Sequence, residues 1–234
     1  MKKFWYGIVM TMVLALALVM TGCGAASDGD ASASGSGSGD SPIEVGESGF
    51  TAYQIEDSWC VTYGVMLTNT DSDNGYCANC VCKAYDEDGN EVHMDEYYFY
   101  IRPGATICHA GSDVNGIWSE GKEPVRIEVS IENAEEATPF DDEEHLGDAD
   151  VTITEPKATN DGWDDYMDFS VTNNADHEGQ VRVNVIFYKD GAICGSTSGD
   201  GYGVQPGETT DLQALVPGER GNTLKYDEFK VFVE

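Results

Sequence analysis

The chain has 234 residues, with 43 acidic side chains against 12 Lys plus Arg and a formal net charge of −31. A field of that sign repels polyanions, which excludes nucleic acid and bare anionic lipid surfaces as direct partners. A hydrophobic fraction of 41% and an aromatic fraction of 10% exclude global disorder, and the length allows one or two domains, each able to bury a core.

Lys2 and Lys3 precede an uncharged run from Phe4 to Met20, the basic and apolar regions of an export signal. Met20-Thr21-Gly22-Cys23 follows and resembles the lipobox of bacterial lipoproteins, with Met20 where Leu is usual. The resemblance implies removal of residues 1–22 and diacylation of Cys23 as the new N-terminus. The alternative is an uncleaved anchor, although the run sits near the lower limit of about 17 residues for a membrane span and no basic stop signal follows. Both readings place the remainder on the extracytoplasmic side of the cell membrane. Removing residues 1–22 takes away two lysines and no acid, which leaves −33. Residues 23–42 are rich in Gly, Ser, Ala and Asp, with a Ser-Gly alternation over 34–39. That composition predicts a flexible tether with a reach on the order of 20–25 Å.

Beyond the tether the chain repeats itself with an offset of 103 to 104 residues. Trp59 answers to Trp163, Leu67-Thr68-Asn69 to Val171-Thr172-Asn173, and Pro103-Gly104 to Pro206-Gly207. Period-2 alternation runs through both halves, as in Trp59, Val61, Tyr63, Val65 and Leu67, and again in Val181, Val183, Val185 and Phe187. Asp86-Glu87-Asp88-Gly89 and Lys189-Asp190-Gly191 are hairpin turns between antiparallel strands. Short strands split by turn residues predict an all-β chain of two tandem immunoglobulin-like β-sandwiches. The expected boundaries are 43–133 for the first sandwich, 134–148 for an acidic linker and 149–234 for the second. Core packing is the expected role of Trp59 and Trp163.

Cys82-Lys83-Ala84-Tyr85-Asp86, with Gly89 and the later Pro103-Gly104, resembles the FxLYD family of bacterial extracytoplasmic domains. Cys82 stands at the Phe position and Ala84 at the Leu position. Val185-Ile186-Phe187-Tyr188-Lys189 keeps the Tyr of the motif and lacks the Asp. The resemblance implies a small Ig-like sandwich on a surface protein and brings no catalytic residues.

Six cysteines follow Cys23. Cys77, Cys80 and Cys82 have a spacing that suits a soft metal, with Cys108-His109 as further ligands. In the repeat, however, Cys80 and Cys82 fall on inward strand positions, where cysteine packs as a small hydrophobe. Cys60 and Cys108 fall on outward positions of adjacent strands, so a Cys60–Cys108 disulfide is expected. Cys194, just past a turn, is expected to stay a thiol. Asp71, Asp73 and Asn74-Gly75 suggest a calcium loop but lack its spacing, and turn chemistry explains them. Weak divalent-cation binding remains compatible with so many carboxylates.

No nucleophile elbow, phosphate loop or His-x-x-x-His spacing occurs, so neither enzyme activity nor a cofactor is expected. Gly195-Ser196-Thr197-Ser198-Gly199 is placed in a hairpin. In Tyr97-Tyr98-Phe99-Tyr100, strand alternation puts Tyr98 and Tyr100 together on one face as ligand-facing aromatics. Two functions follow as expectations. One is a lipid-anchored spacer or protein-interaction module for an envelope or extracellular protein, and the other a glycan-binding module using Tyr98, Tyr100 and Trp118. Soft-metal binding through the first-half cysteines is a third.

Overall fold

A computed structural model describes residues 21–22, 31–35, 41–55, 57–112, 119–120, 122–138, 145–219 and 222–233. The apolar run 4–20, Cys23, Trp118 and the linker acids 141–144 lie outside the described residues. Among the described residues no helix is long and apolar enough to cross a membrane. The protein is all-β, as its alternation predicts.

The strands in chain order begin with β1 (Thr21–Gly22), β2 (Ala31–Gly35), β3 (Ile43–Ile55), β4 (Ser58–Asn69), β5 (Tyr76–Tyr85) and β6 (Glu91–Ile101). They continue with β7 (Thr106–Ser112), β8 (Ser119–Glu120), β9 (Arg126–Glu136), β10 (Val151–Ile153), β11 (Lys157–Asn160) and β12 (Asp165–Asn173). The last are β13 (Gly179–Lys189), β14 (Ala192–Val204), β15 (Thr209–Leu215), β16 (Gly218–Glu219), β17 (Asn222–Thr223) and β18 (Glu228–Val233).

In the first half β9-β5-β6 form one sheet and β3-β4-β7 another. Between them lies a core that includes Val61, Tyr63, Val65, Leu67, Cys80, Cys82 and Phe99. In the second half β18-β13-β14 face β12 with β10, β11 and β15, over a core that includes Val181, Val183, Val185, Phe187 and Met167. The inward residues are those of the period-2 alternation, since successive side chains of a strand leave on opposite faces.

Two segments differ from the expected organisation. Ala31–Gly35, within the expected tether, pairs in parallel with β9 from Arg126 to Val129. The expected linker 134–148 is absorbed at both ends. Strand β9 continues through Glu136, while His145 bridges Gln180 and Leu146 is fully buried in the second core.

The repeat builds the same corner twice. Asn69 and Asn173 are buried at the ends of β4 and β12. Asn69 Nδ2 donates to Asn74 O at 2.8 Å and Arg102 O at 3.0 Å, while its Oδ1 accepts from Asp71 N at 3.0 Å. Asn173 Nδ2 donates to His177 O and Val204 O, both at 2.8 Å, and its Oδ1 accepts from Ala175 N at 2.8 Å. The Pro-Gly turns close onto these corners through Gly104 N to Asp71 O and Gly207 N to Asn173 O, each 2.8 Å. Gly104 and Gly207 have φ of 63° and 76°, a region that favours glycine.

The Asp71 carboxylate of the suspected calcium loop is engaged locally. Asp71 accepts from the backbone of Asp73 and Asn74 and from the Tyr76 hydroxyl, which hold its pKa at about 2. A carboxylate depressed in the folded state stabilises above its unfolded value, near 3.9, and loses that contribution as pH falls toward the folded value. Asp71→Asn is therefore expected to flatten the fall of Tm between about pH 4 and about pH 2 relative to the wild type. Thermal melts at stepped pH check this.

Between the two sandwiches the sheets β3-β4-β7 and β14-β13-β18 pack face to face. Cys108, Ala110, Ile186, Tyr188 and Ile193 form a third buried cluster there, with Met66 and Phe232 against it. Polar side chains in this layer bond across it. Thr62 Oγ1 donates to Ser196 O at 2.7 Å and accepts from Ser196 N at 2.9 Å, and Asn184 Nδ2 donates to Cys108 O at 2.8 Å. Thr51 Oγ1 donates to Cys194 O, and Ser196 Oγ donates to Tyr63 O. Close approach requires Gly49, because a Cβ there would lie 1.9 Å from Ile193 O. By the repeat, Lys83 stands at the position of Ile186, and Asp168 at that of Gly64. The two outermost faces thus carry charge where the joined faces are apolar or small, which opposes further stacking.

Candidate functional site

The expected Cys60–Cys108 disulfide is corrected by the strand register, whereas Cys80 and Cys82 take the inward positions expected of them. Strands β4 and β7 are neighbours, but Cys108 lies opposite Met66, six residues along β4 from Cys60. At about 3.3 Å per residue that is roughly 20 Å, beyond the reach of a disulfide. Both residues are buried; Cys108 belongs to the layer between the halves, and alternation puts Cys60 on the same face of β4 as Thr62. Cys77, Cys80 and Cys82 do not converge as ligands either. Cys80 and Cys82 point into the first core, while a bulge between Cys77 and Asn79 leaves Cys77 outside that cluster. Among the described residues no group of three His, Cys, Asp or Glu is placed to hold a metal ion. Cys194 is buried, with Sγ donating to Phe187 O at 3.4 Å. No disulfide joins the six described cysteines. Alkylation in denaturant without reductant is expected to label all six, and labelling of the native chain to be slow because all are buried. A product carrying two labels fewer, as one disulfide would leave, would count against this.

Trp163 is 63% exposed, so the expected core role does not hold. It sits in a turn where Asp161 Oδ1 accepts the backbone N–H groups of Trp163 and Asp164, at 2.8 and 2.9 Å, and that turn directs it outward. Residues 195–199 lie on β14, the second arm of the β13–β14 hairpin, as expected. Of the Tyr97–Tyr100 run, Phe99 enters the core. Tyr98 is 56% exposed and hydrogen-bonded to Cys77, which raises its pKa. Tyr100 is half-buried.

A concavity lies where the joined layer ends. Asn184 is bonded across that layer, and two residues earlier on the same face of β13, Arg182 borders an open cleft of about 480 Å³. The end of β6 and start of β7 form one wall; residues 145–148, the start of β13 and the end of β14 form the other. Tyr98, Tyr100 and Arg102 line it from the first half. Arg182, Asp200 and Tyr202 line it from the second.

The side chains crossing this cleft are held in place. Tyr97 stacks on His109 with centroids 4.2 Å apart, and the Arg182 guanidinium lies 5.6 Å from the Tyr97 ring centroid. Arg182 also donates to Ser198 Oγ at 3.3 Å and pairs with Asp200 at 3.7 Å. The Arg102 guanidinium lies against Gly147 of the second half. Tyr202 stands at the mouth, 73% exposed. Such an arrangement offers planar donors, carboxylate acceptors and aromatic surface within one concavity, the composition of a binding site. Only Tyr98 and Tyr100 of this lining were legible as candidates. The remaining signal was the scarcity of arginine: the chain has four, and two of them border the cleft.

The fold and the cleft define an all-β protein of stacked, mainly antiparallel sheets with a concavity lined from both halves. No family model matches the chain, and no curated protein matches it.

Proposed function

We propose that this chain is a non-enzymatic lipoprotein of the cell envelope. Lipid-anchored through Cys23, it would carry two immunoglobulin-like sandwiches as a stiff interaction module on the extracytoplasmic side. The observation that supports this reading is the buried, hydrogen-bonded layer between the halves, which suits a spacer without an internal hinge. The lipobox-like residues 20–23 supply the anchor. The FxLYD-like residues agree with a structural motif, since Cys82 and Ala84 pack in the core and Asp86 caps its turn by accepting from Asn90 N at 2.8 Å. An envelope protein with a basic surface suits the charge of −31, and such binding weakens with salt.

Metabolic labelling with an alkyne fatty acid tests the anchor. The wild-type chain is expected to take up label and to begin at residue 23, and Cys23→Ala to take up none. A wild-type chain that keeps residues 1–22 and carries no lipid would show an uncleaved anchor instead.

A further inference from the structure

We infer that the cleft between the sandwiches binds a neutral saccharide, with Tyr202 as a stacking surface and Arg182 as an oriented hydrogen-bond donor. This deepens the reading of the chain as an extracytoplasmic recognition module, and rests on it. The first argument is charge. The chain as a whole is strongly acidic, yet this cleft sets Arg102 and Arg182 against Asp148 and Asp200, so its own charge is balanced. An anionic ligand would have to approach through a repulsive field to reach a site with no net attraction. A cationic ligand would meet the two guanidinium groups.

The second argument is the kind of contact on offer. A sugar ring presents an apolar face of C–H groups and an equatorial rim of hydroxyls that both donate and accept. Tyr202 gives an aromatic face at the mouth, 73% exposed. Four large hydrophobic residues are exposed among the described residues, Met94, Tyr98, Trp163 and Tyr202, and two of them border this cleft. Arg182 provides a planar fork fixed by Ser198, Asp200 and the Tyr97 ring, so little side-chain freedom is lost when it donates. The carboxylates of Asp200 and Asp148 offer acceptors for hydrogen bonds from sugar hydroxyls. The volume of about 480 Å³ lies in the range of small-ligand sites and suits a short oligosaccharide.

The third argument is position. The walls come from both sandwiches, and the layer bonded through Thr62, Ser196 and Asn184 holds them at a fixed separation. A preformed site avoids the ordering cost of closing two domains on a ligand.

Calorimetric titration of the full-length chain in detergent tests the assignment. The probes are chito-, cello-, malto- and xylo-oligosaccharides, with a sulfated oligosaccharide as the anionic comparison. At least one neutral probe is expected to bind, and Tyr202→Ala and Arg182→Gln each to weaken it by tenfold or more. Tyr202→Ala should leave Tm unchanged, because the ring is exposed. Binding of the sulfated probe alone, of none, or undiminished binding in both variants overturns the assignment. A chain that is lipidated at Cys23 and binds no sugar would refute the saccharide site while leaving the envelope-module reading intact.

Discussion

Gly49→Ala is expected to uncouple the two sandwiches and to lower stability by about 1–3 kcal/mol, the usual range for an overpacked interior. At this chain length that corresponds to a fall in Tm of about 2–12 °C. A Cβ at residue 49 would lie 1.9 Å from Ile193 O and 2.7 Å from the Ile193 carbonyl carbon. The obstacle is backbone, so no rotamer change relieves it, and β3 and β14 must separate. Separation weakens the polar bonds beside it, from Thr51 to Cys194 O and between Thr62 and Ser196. In calorimetry the wild type is expected to unfold in one transition and the variant in two. An unchanged single transition in Gly49→Ala would mean that the β3–β14 contact does not couple the halves.

The second large effect is expected at the buried asparagine corners. Asn173→Leu keeps the branching and heavy-atom count of the side chain but removes three hydrogen bonds to backbone groups, at His177 O, Val204 O and Ala175 N. Leaving buried polar groups unsatisfied costs at least about 1 kcal/mol each, so a loss of about 3 kcal/mol and a Tm lower by about 6–12 °C is expected. Asn69→Leu should act alike, since Asn74 O, Arg102 O and Asp71 N lose the same contacts in the first half. Because the halves are joined, each variant should lower one shared transition. A variant within 1 °C of wild type would show that the corners are solvated, in conflict with exposures of 1% and 0% for Asn69 and Asn173.

The residues of these corners stand out in the sequence as repeat landmarks, but their bonding does not, because Asn69 and Asn173 reach carbonyls 33 and 31 residues away. The landmarks are Thr68-Asn69 with Pro103-Gly104, and Thr172-Asn173 with Pro206-Gly207. The inward residues were legible, since the strand period is fixed by the backbone. The joined layer was not. Its members include Thr51, Thr62, Ser196 and Asn184, which on alternation alone look like solvent-facing positions. Only a partner sheet tells a threonine bonded to a buried carbonyl from one bonded to water. The Cys60–Cys108 pairing failed on register, which a count of strands does not give. Trp163 failed because the Asp161 turn outweighs the burial preference of its ring. Half of the cleft escaped notice because Arg182, Asp200 and Tyr202 lie about 80–100 residues from Tyr97–Arg102, and nothing in the repeat brings the two groups together.

The stiffness of the module and the permanence of its cleft both depend on the two sandwiches moving as one body. Residual dipolar couplings of the backbone amides in a weakly aligned sample measure this directly. A single alignment tensor is expected to fit amides from β4, β5, β12 and β13 together. Two tensors of different magnitude, one for each sandwich, would contradict a rigid joined layer and with it the preformed cleft.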